Sequence, residues 1–270
     1  MVVGGGAIEQ SAAGLENVTS RAKGADRGQR SGRTREQCQD PIVDDAYAAW
    51  VLRPSLPSVV VEPHLAWFLC GVQRSGTWLL AGLLDSTGIA GRPHEWFSEA
   101  TEEANRRRWR VQPTEDYFEY VRSAGTTPNG VFACKLTWDA LERVGDAPSL
   151  APERRFVWLR REPEAIGISW GLAEQTGRYH AWDPPPRREP RFDREQVDAL
   201  VGLAREHDAA WARWFPDHAV EPLELWFDEV VADPSEASAR VLAHLGLPEV
   251  PAVIRTEPSP PSDWRARYIR

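Results

Sequence analysis

Apolar positions along this chain follow two alternating patterns. Residues 65–70, 130–138, 155–159 and 222–227 are short, nearly continuous apolar runs rich in aromatic and β-branched side chains, the signature of buried strands. Residues 43–52, 78–85, 193–215 and 235–245 instead carry apolar side chains every three to four positions, as helices with one buried face do. Pro54 and Pro57 break the first of these helices and Gly246 ends the last. Residues 99–124 mix charged and aromatic side chains at helical spacing and predict partly exposed helix. Residues 174–191 turn to Arg, Pro, His and Trp and predict a loop. Short apolar strands separated by helices predict an α/β fold, a central parallel sheet flanked by helices, with ligands bound at the carboxyl ends of the strands. Residues 1–40 have no sustained apolar period and are expected to form a disordered N-terminal tail, whose basic cluster between Arg21 and Arg35 reads as solvated linker. Residues 41–270 then make one domain.

Composition narrows the function. A formal net charge of -8 and a pI near 5.4 argue against a nucleic-acid binder, but a polyanionic small molecule needs only a local basic patch. Lysine occurs only at positions 23 and 135, so arginine carries most of the positive charge and lone arginines mean little. Cys38, Cys70 and Cys134 have no metal or redox spacing, and the last two sit in strand-like runs as core residues do. No apolar run nears the roughly 20 residues needed to cross a bilayer, and the N-terminus has no apolar signal-peptide core. A cytoplasmic protein is the expectation.

The chemistry concentrates in residues 65–97. A buried strand ends in Gly71-Val72-Gln73-Arg74-Ser75-Gly76-Thr77 and passes into the helix that starts at Trp78. Such a turn leaves the first helical N–H groups unpaired and ready for an anion. Gly71 and Gly76 permit close backbone approach, Arg74 adds a guanidinium, and Ser75 and Thr77 add hydroxyls. The nucleotide-kinase pattern G-x-x-x-x-G-K-[ST] is not met, because Thr77-Trp78 follows the second glycine. Downstream, Glu95 lies on a loop beside Trp96 and Phe97, a setting expected to raise its pKa by desolvation and suit it to accept a proton. His94 is the rival base. Lys135, inside an apolar run, needs an anionic partner or a route to solvent.

The turn Gln73-Arg74-Ser75-Gly76-Thr77, joined to Gly91-Arg92-Pro93-His94-Glu95-Trp96-Phe97, resembles the bacterial Stf0 family of sulfotransferases. The resemblance implies a P-loop-like sulfotransferase fold and transfer of a sulfuryl group from 3′-phosphoadenosine 5′-phosphosulfate (PAPS) to a hydroxyl, with adenosine 3′,5′-bisphosphate (PAP) released and no metal. It makes Arg74, Ser75, Gly76, Thr77 and Trp78 the 5′-phosphosulfate loop, with Arg74 also catalytic, and Glu95 the general base of an in-line transfer. Arg161 and Ser169 match the family's 3′-phosphate pair, with Arg160 as the alternative one position earlier. Residues 227–230, Phe-Asp-Glu-Val, resemble an element that borders the adenine pocket in relatives, and residues 263–268 resemble a closing helix. His94, Trp96, Lys135, Tyr179, His180 and Trp182 are candidates for acceptor contact. With 13 tryptophans to stack on sugar rings, the expected acceptor is a sugar, a glycolipid or a glycosylated natural product. Members of the family can dimerise, so a homodimer is expected. A P-loop nucleotide kinase and a non-catalytic cofactor-binding relative stand as alternatives.

Overall fold

Four strands, β1 (Leu65–Gly71), β2 (Val131–Thr137), β3 (Glu153–Arg160) and β4 (Leu223–Trp226), pair in the order β2-β1-β3-β4, and every pairing is parallel. They belong to a computed structural model that describes residues 45–113, 115–145, 150–180, 182–186, 189–255 and 263–269. The expected tail, residues 1–40, lies outside the described residues. The helices are α1 (Asp45–Leu52), α2 (Thr77–Ser86), α3 (Glu99–Trp109), α4 (Tyr117–Gly125), α5 (Trp138–Val144), α6 (Pro163–Thr176), α7 (Arg194–Asp217), α8 (Phe227–Ala232), α9 (Pro234–His244) and α10 (Trp264–Ile269).

The continuous apolar runs are explained by burial on both faces of the sheet. Leu65, Trp67 and Leu69 of β1 pack with Leu80, Leu83 and Leu84 of α2 and Val241 and Leu242 of α9. The alternate residues Ala66, Phe68 and Cys70 face Val121 of α4, Leu141 of α5, and Trp211, Trp214 and Phe215 of α7. Full burial of a residue such as Phe68 or Leu69 stabilises by about 2–3 kcal/mol. Cys70 and Cys134 are buried free thiols, used as core residues.

Local chemistry sets the ends of the helices. Asp193 caps α7 by accepting from the Gln196 N–H, Asp233 caps α9 through the Glu236 N–H, and Pro163 opens α6. The stretch expected to be helical over 99–124 is two helices, because Arg110 ends α3 in a left-handed conformation and Asp116 caps α4 anew. Phe227, read as the last residue of a strand, begins α8 instead. Among the described residues no helix is long and apolar enough to cross a membrane.

Candidate active site

The chain leaves β1 for β2 on one side and later adds β3 on the other, so the connections part at the carboxyl end of β1 and open a crevice there. Residues 72–76 turn at that point into α2. Arg74 (φ 69°) and Gly76 (φ 95°) both lie in the left-handed region. A Cβ on Gly76 would sit 2.2 Å from the Phe227 ring, so glycine answers both the dihedral and the space. Arg74 has no such freedom and carries strain, as residues at binding sites often do. Gly76 caps α2 without a side-chain acceptor, leaving the first helical N–H groups uncapped. Ser75 Oγ is fully buried and has no hydrogen-bond partner.

Arg74 is the hub. Its Nε donates to Ser169 Oγ on α6 at 3.2 Å and its Nη1 donates to the Tyr179 carbonyl. Its own carbonyl accepts from Arg161 Nη1 at 2.9 Å. The Arg161 guanidinium also lies 4.2 Å from the centre of the Phe227 ring. Burial, with the neighbouring Arg74 charge, brings the Arg161 pKa down to about 10, and burial lowers that of Arg74 as well. Arg74 and the distant segment that carries Arg161 and Ser169 therefore meet in one cluster with two guanidiniums. Arg160, the alternative one position earlier, turns away from it: Asp208 at 2.6 Å and Glu224 at 2.9 Å take its guanidinium. Beside Arg161, a cleft lined by Trp226, Phe227, Asp228 and Arg265 continues the crevice.

Glu95 sits on the loop before α3. Lys135, five residues into β2, is buried, and its Nζ donates to Glu95 Oε1 at 2.8 Å while lying 3.7 Å from the centre of the Trp78 ring. The lysine side chain is 1% exposed and that of Glu95 31%. This arrangement corrects the expected raised carboxyl pKa. Burial pushes Glu95 upward, but the charge and hydrogen bond of the adjacent ammonium, with smaller contributions from His180 and His94, together outweigh it, and the carboxyl ends below its ordinary value. Burial brings Lys135 down to about 8 against the pull of Glu95.

The remaining candidates divide between crevice and core. Trp78, grouped by sequence with the phosphosulfate loop, directs its ring toward Lys135, with His94 and His180 edge-on at 5.5 Å and Trp182 at 6.0 Å. His180 stacks on Trp182 at 4.8 Å and is held by Asp183. Tyr179 meets the cluster through its backbone carbonyl rather than its ring. Trp96, a candidate for acceptor contact, is instead wholly buried with its indole N–H on the Ala133 carbonyl, because the residue after Glu95 must point back into the core. His94 is buried too, its Nε2 2.7 Å from the Val51 carbonyl, and desolvation lowers its pKa to about 4. Periodicity missed Phe227 as a packing partner of Gly76 and Arg161. It also missed Trp50 of α1, which contacts His94 and Trp96. The resemblance of residues 227–230 to the element that borders the adenine pocket is the signal in the sequence that points to Phe227. Among the described residues no group of three or more His, Cys, Asp and Glu side chains gathers.

A sequence profile described as Stf0 sulphotransferase matches residues 66–270. Trehalose 2-sulfotransferase of Mycolicibacterium smegmatis is 24% identical over 253 residues, spanning 76% of this chain and 94% of that protein. The trehalose 2-sulfotransferase of Mycobacterium tuberculosis is 24% identical over 260 residues, spanning 78% and 96%. The crystal structure of a sulfotransferase from Alicyclobacillus acidocaldarius, 16% identical, covers 77% of this chain and 90% of its own with a TM-score of 0.42, too distant a likeness to add to the sequence match. Nothing in these relationships favours a nucleotide kinase. One profile thus takes in the cradle, the Glu95 loop, β2 and the segment from Arg161 to Ser169, and the chain belongs to the Stf0 sulphotransferase family, as an enzyme that transfers a sulfuryl group.

Proposed function

We propose that residues 41–270 form the catalytic domain, that the donor is PAPS, and that the acceptor is a hydroxyl on a carbohydrate-containing molecule, with Glu95 as general base. The observation that carries this reading is the meeting at Arg74 of two unlike sites. On one side is a basic cluster with no ion pair among the described residues; on the other is a partly exposed carboxylate close enough for its charge to act on Arg74. The donor suits the first. The buried Ser75 hydroxyl lacks a partner, the α2 N–H groups lack a cap, and two guanidiniums await an anion. In this reading Arg74, Ser75, Gly76, Thr77 and the Trp78 backbone hold the 5′-phosphosulfate, and Arg161 and Ser169 hold the 3′-phosphate that separates this donor from ATP. When bound, PAPS supplies the sulfuryl group and a phosphate leaving group; arginines and backbone amides meet its charge without a metal.

Glu95 is the base rather than His94, because the imidazole is 4% exposed and its Nε2 is committed to a carbonyl. With Oε1 taken by Lys135, Oε2 receives the hydroxyl proton. His180 and Trp182, stacked on each other and edge-on to the Trp78 ring that covers Lys135, bring aromatic surface near that carboxylate, which suits a sugar ring. Both trehalose 2-sulfotransferases named above act on a carbohydrate by their names, in agreement.

The test has two arms. PAP at 100 times its dissociation constant should stabilise the wild type by about 2.7 kcal/mol, read as a rise in melting temperature that shrinks in Arg161→Ala. Labelled PAPS offered with a panel of sugars, glycolipids and non-carbohydrate alcohols should label the first two groups. Glu95→Gln should keep the PAP shift while turnover falls by roughly 10²–10⁴. No shift in the wild type sinks the donor. Labelling confined to non-carbohydrates sinks the acceptor class, and wild-type turnover in Glu95→Gln sinks the base.

A further inference from the structure

A buried lysine in the middle of a β-strand is an unusual expense for a fold, since taking an ammonium out of water is unfavourable unless it is paired and hydrogen-bonded. Lys135 is met on two sides. The Glu95 carboxylate lies 2.8 Å from Nζ, and the face of Trp78 covers the ammonium at 3.7 Å. The backbone adds a third tie: the Lys135 N–H donates to the His94 carbonyl at 2.9 Å, so β2 and the Glu95 loop are joined by main chain and side chain together. The pair is asymmetric, with the lysine side chain 1% exposed and the carboxylate 31% exposed. A purely structural pair has no need of a carboxylate left about a third exposed.

We propose that Lys135 is a positioning residue: its ammonium, clamped between Glu95 and the face of Trp78, keeps Glu95 ionised and aims its second carboxylate oxygen at the acceptor hydroxyl. The inference rests on the reading of Glu95 as the base. The charged and titratable groups facing the pair are Arg74 from the turn after β1, His94 from the Glu95 loop, His180 from the loop after α6, and Cys134 beside it in β2. Of these, His94 and His180 lower Glu95 only as lesser influences than Lys135, and Arg74 acts on Lys135 by repulsion. Removing the lysine charge therefore leaves, with Arg74 as the remaining nearby charge, a partly buried carboxyl without its hydrogen-bonded cation. It should then hold its proton to higher pH and be a poorer acceptor near neutrality.

The experiment follows Glu95 directly. In ligand-free wild type, the ¹³C carboxyl signal of Glu95, assigned by its disappearance in Glu95→Gln, should titrate below the ordinary glutamate midpoint of about 4.3. In Lys135→Met the midpoint should rise above that value, and the acid limb of kcat/KM should move up by at least about one pH unit, a tenfold change in proton activity. The PAP-induced melting shift should stay at the wild-type value, and Lys135→Arg should retain the low midpoint. A wild-type midpoint at or above the ordinary value overturns the proposal even if Lys135→Met does not fold. So does a Lys135→Met protein with an unmoved titration and pH profile, or one that loses the PAP shift together with turnover. Failure of the underlying reading is distinct, because it appears as normal turnover in Glu95→Gln.

Discussion

His94 illustrates how burial changes what a side chain can do. Its Nε2 faces a carbonyl, which only accepts, so the neutral ring carries its proton there, and Nδ1 is left buried without a partner. Protonating that nitrogen would place a charge beside Trp50, Trp78 and Trp96. Its pKa of about 4 in the folded chain, against about 6.5 when unfolded, sets the sign. The unfolded state binds the proton first, so the contribution is complete above about pH 6.5 and is lost as pH falls toward 4. The size is on the order of 3 kcal/mol at 1.36 kcal/mol per pH unit. Melting temperature measured from pH 4 to 7 should therefore fall more steeply toward acid in wild type than in His94→Phe; equal slopes would remove His94 as the cause. Glu95, its neighbour in sequence, moves the opposite way from the expectation drawn from its aromatic flanks, because its environment is set by a lysine 40 residues away.

The end of β3 sends two adjacent arginines to different partners. Arg160 completes the strand and ties it to α7 through Asp208 and to β4 through Glu224, whereas Arg161 reaches the turn after β1. Arg160→Ala should cost about 1 kcal/mol of stability, since its partners are partly solvated, and leave PAP affinity near wild type. Arg161→Ala should do the reverse, and urea melts beside PAP titrations separate the two effects. A similar coupling joins α2 to α8. Gly76→Ala combines a left-handed backbone with a ring 2.2 Å from the new Cβ, a loss on the order of 3 kcal/mol. Adding Phe227→Ala should recover part of it by removing the overlap. Strictly additive losses in the double variant would show that the ring is not the obstacle.

The full sequence carries a net charge of -8, whereas Arg74 and Arg161 gather at one crevice. The global field opposes approach of a polyanion while the local cluster attracts it. The attraction acts at short range in a partly buried site, and the repulsion acts across solvent. PAP affinity should weaken several-fold between about 0.02 and 0.3 M salt, as screening reaches the half-open guanidiniums, where the Debye length is about 10 Å at 0.1 M. Calorimetric titration across that range checks it, and a salt-independent dissociation constant would argue against arginine recognition of phosphate.

The sequence by itself determined what depends on local pattern. The parallel sheet flanked by helices follows from continuous apolar runs separated by helical spacing, and the place of the cradle follows from glycines between a strand and a helix. Glu95 on a loop ahead of a helix, and buried Cys70 and Cys134, were legible in the same way. Tertiary structure alone decided which distant groups meet. Ser169 stands 95 residues from Arg74 and the Tyr179 carbonyl 105, and both converge on one guanidinium because β1 and β3 are neighbours in the sheet. The burial of Trp96 in the core and the placing of the Trp78 ring over Lys135 likewise depend on how the elements pack, which no period in the chain encodes. A strand or helix records its own buried face in its residues, but the pairing of Glu95 with Lys135 arises only when tertiary packing sets the loop before α3 against β2, and that pairing bears on the charge of Glu95.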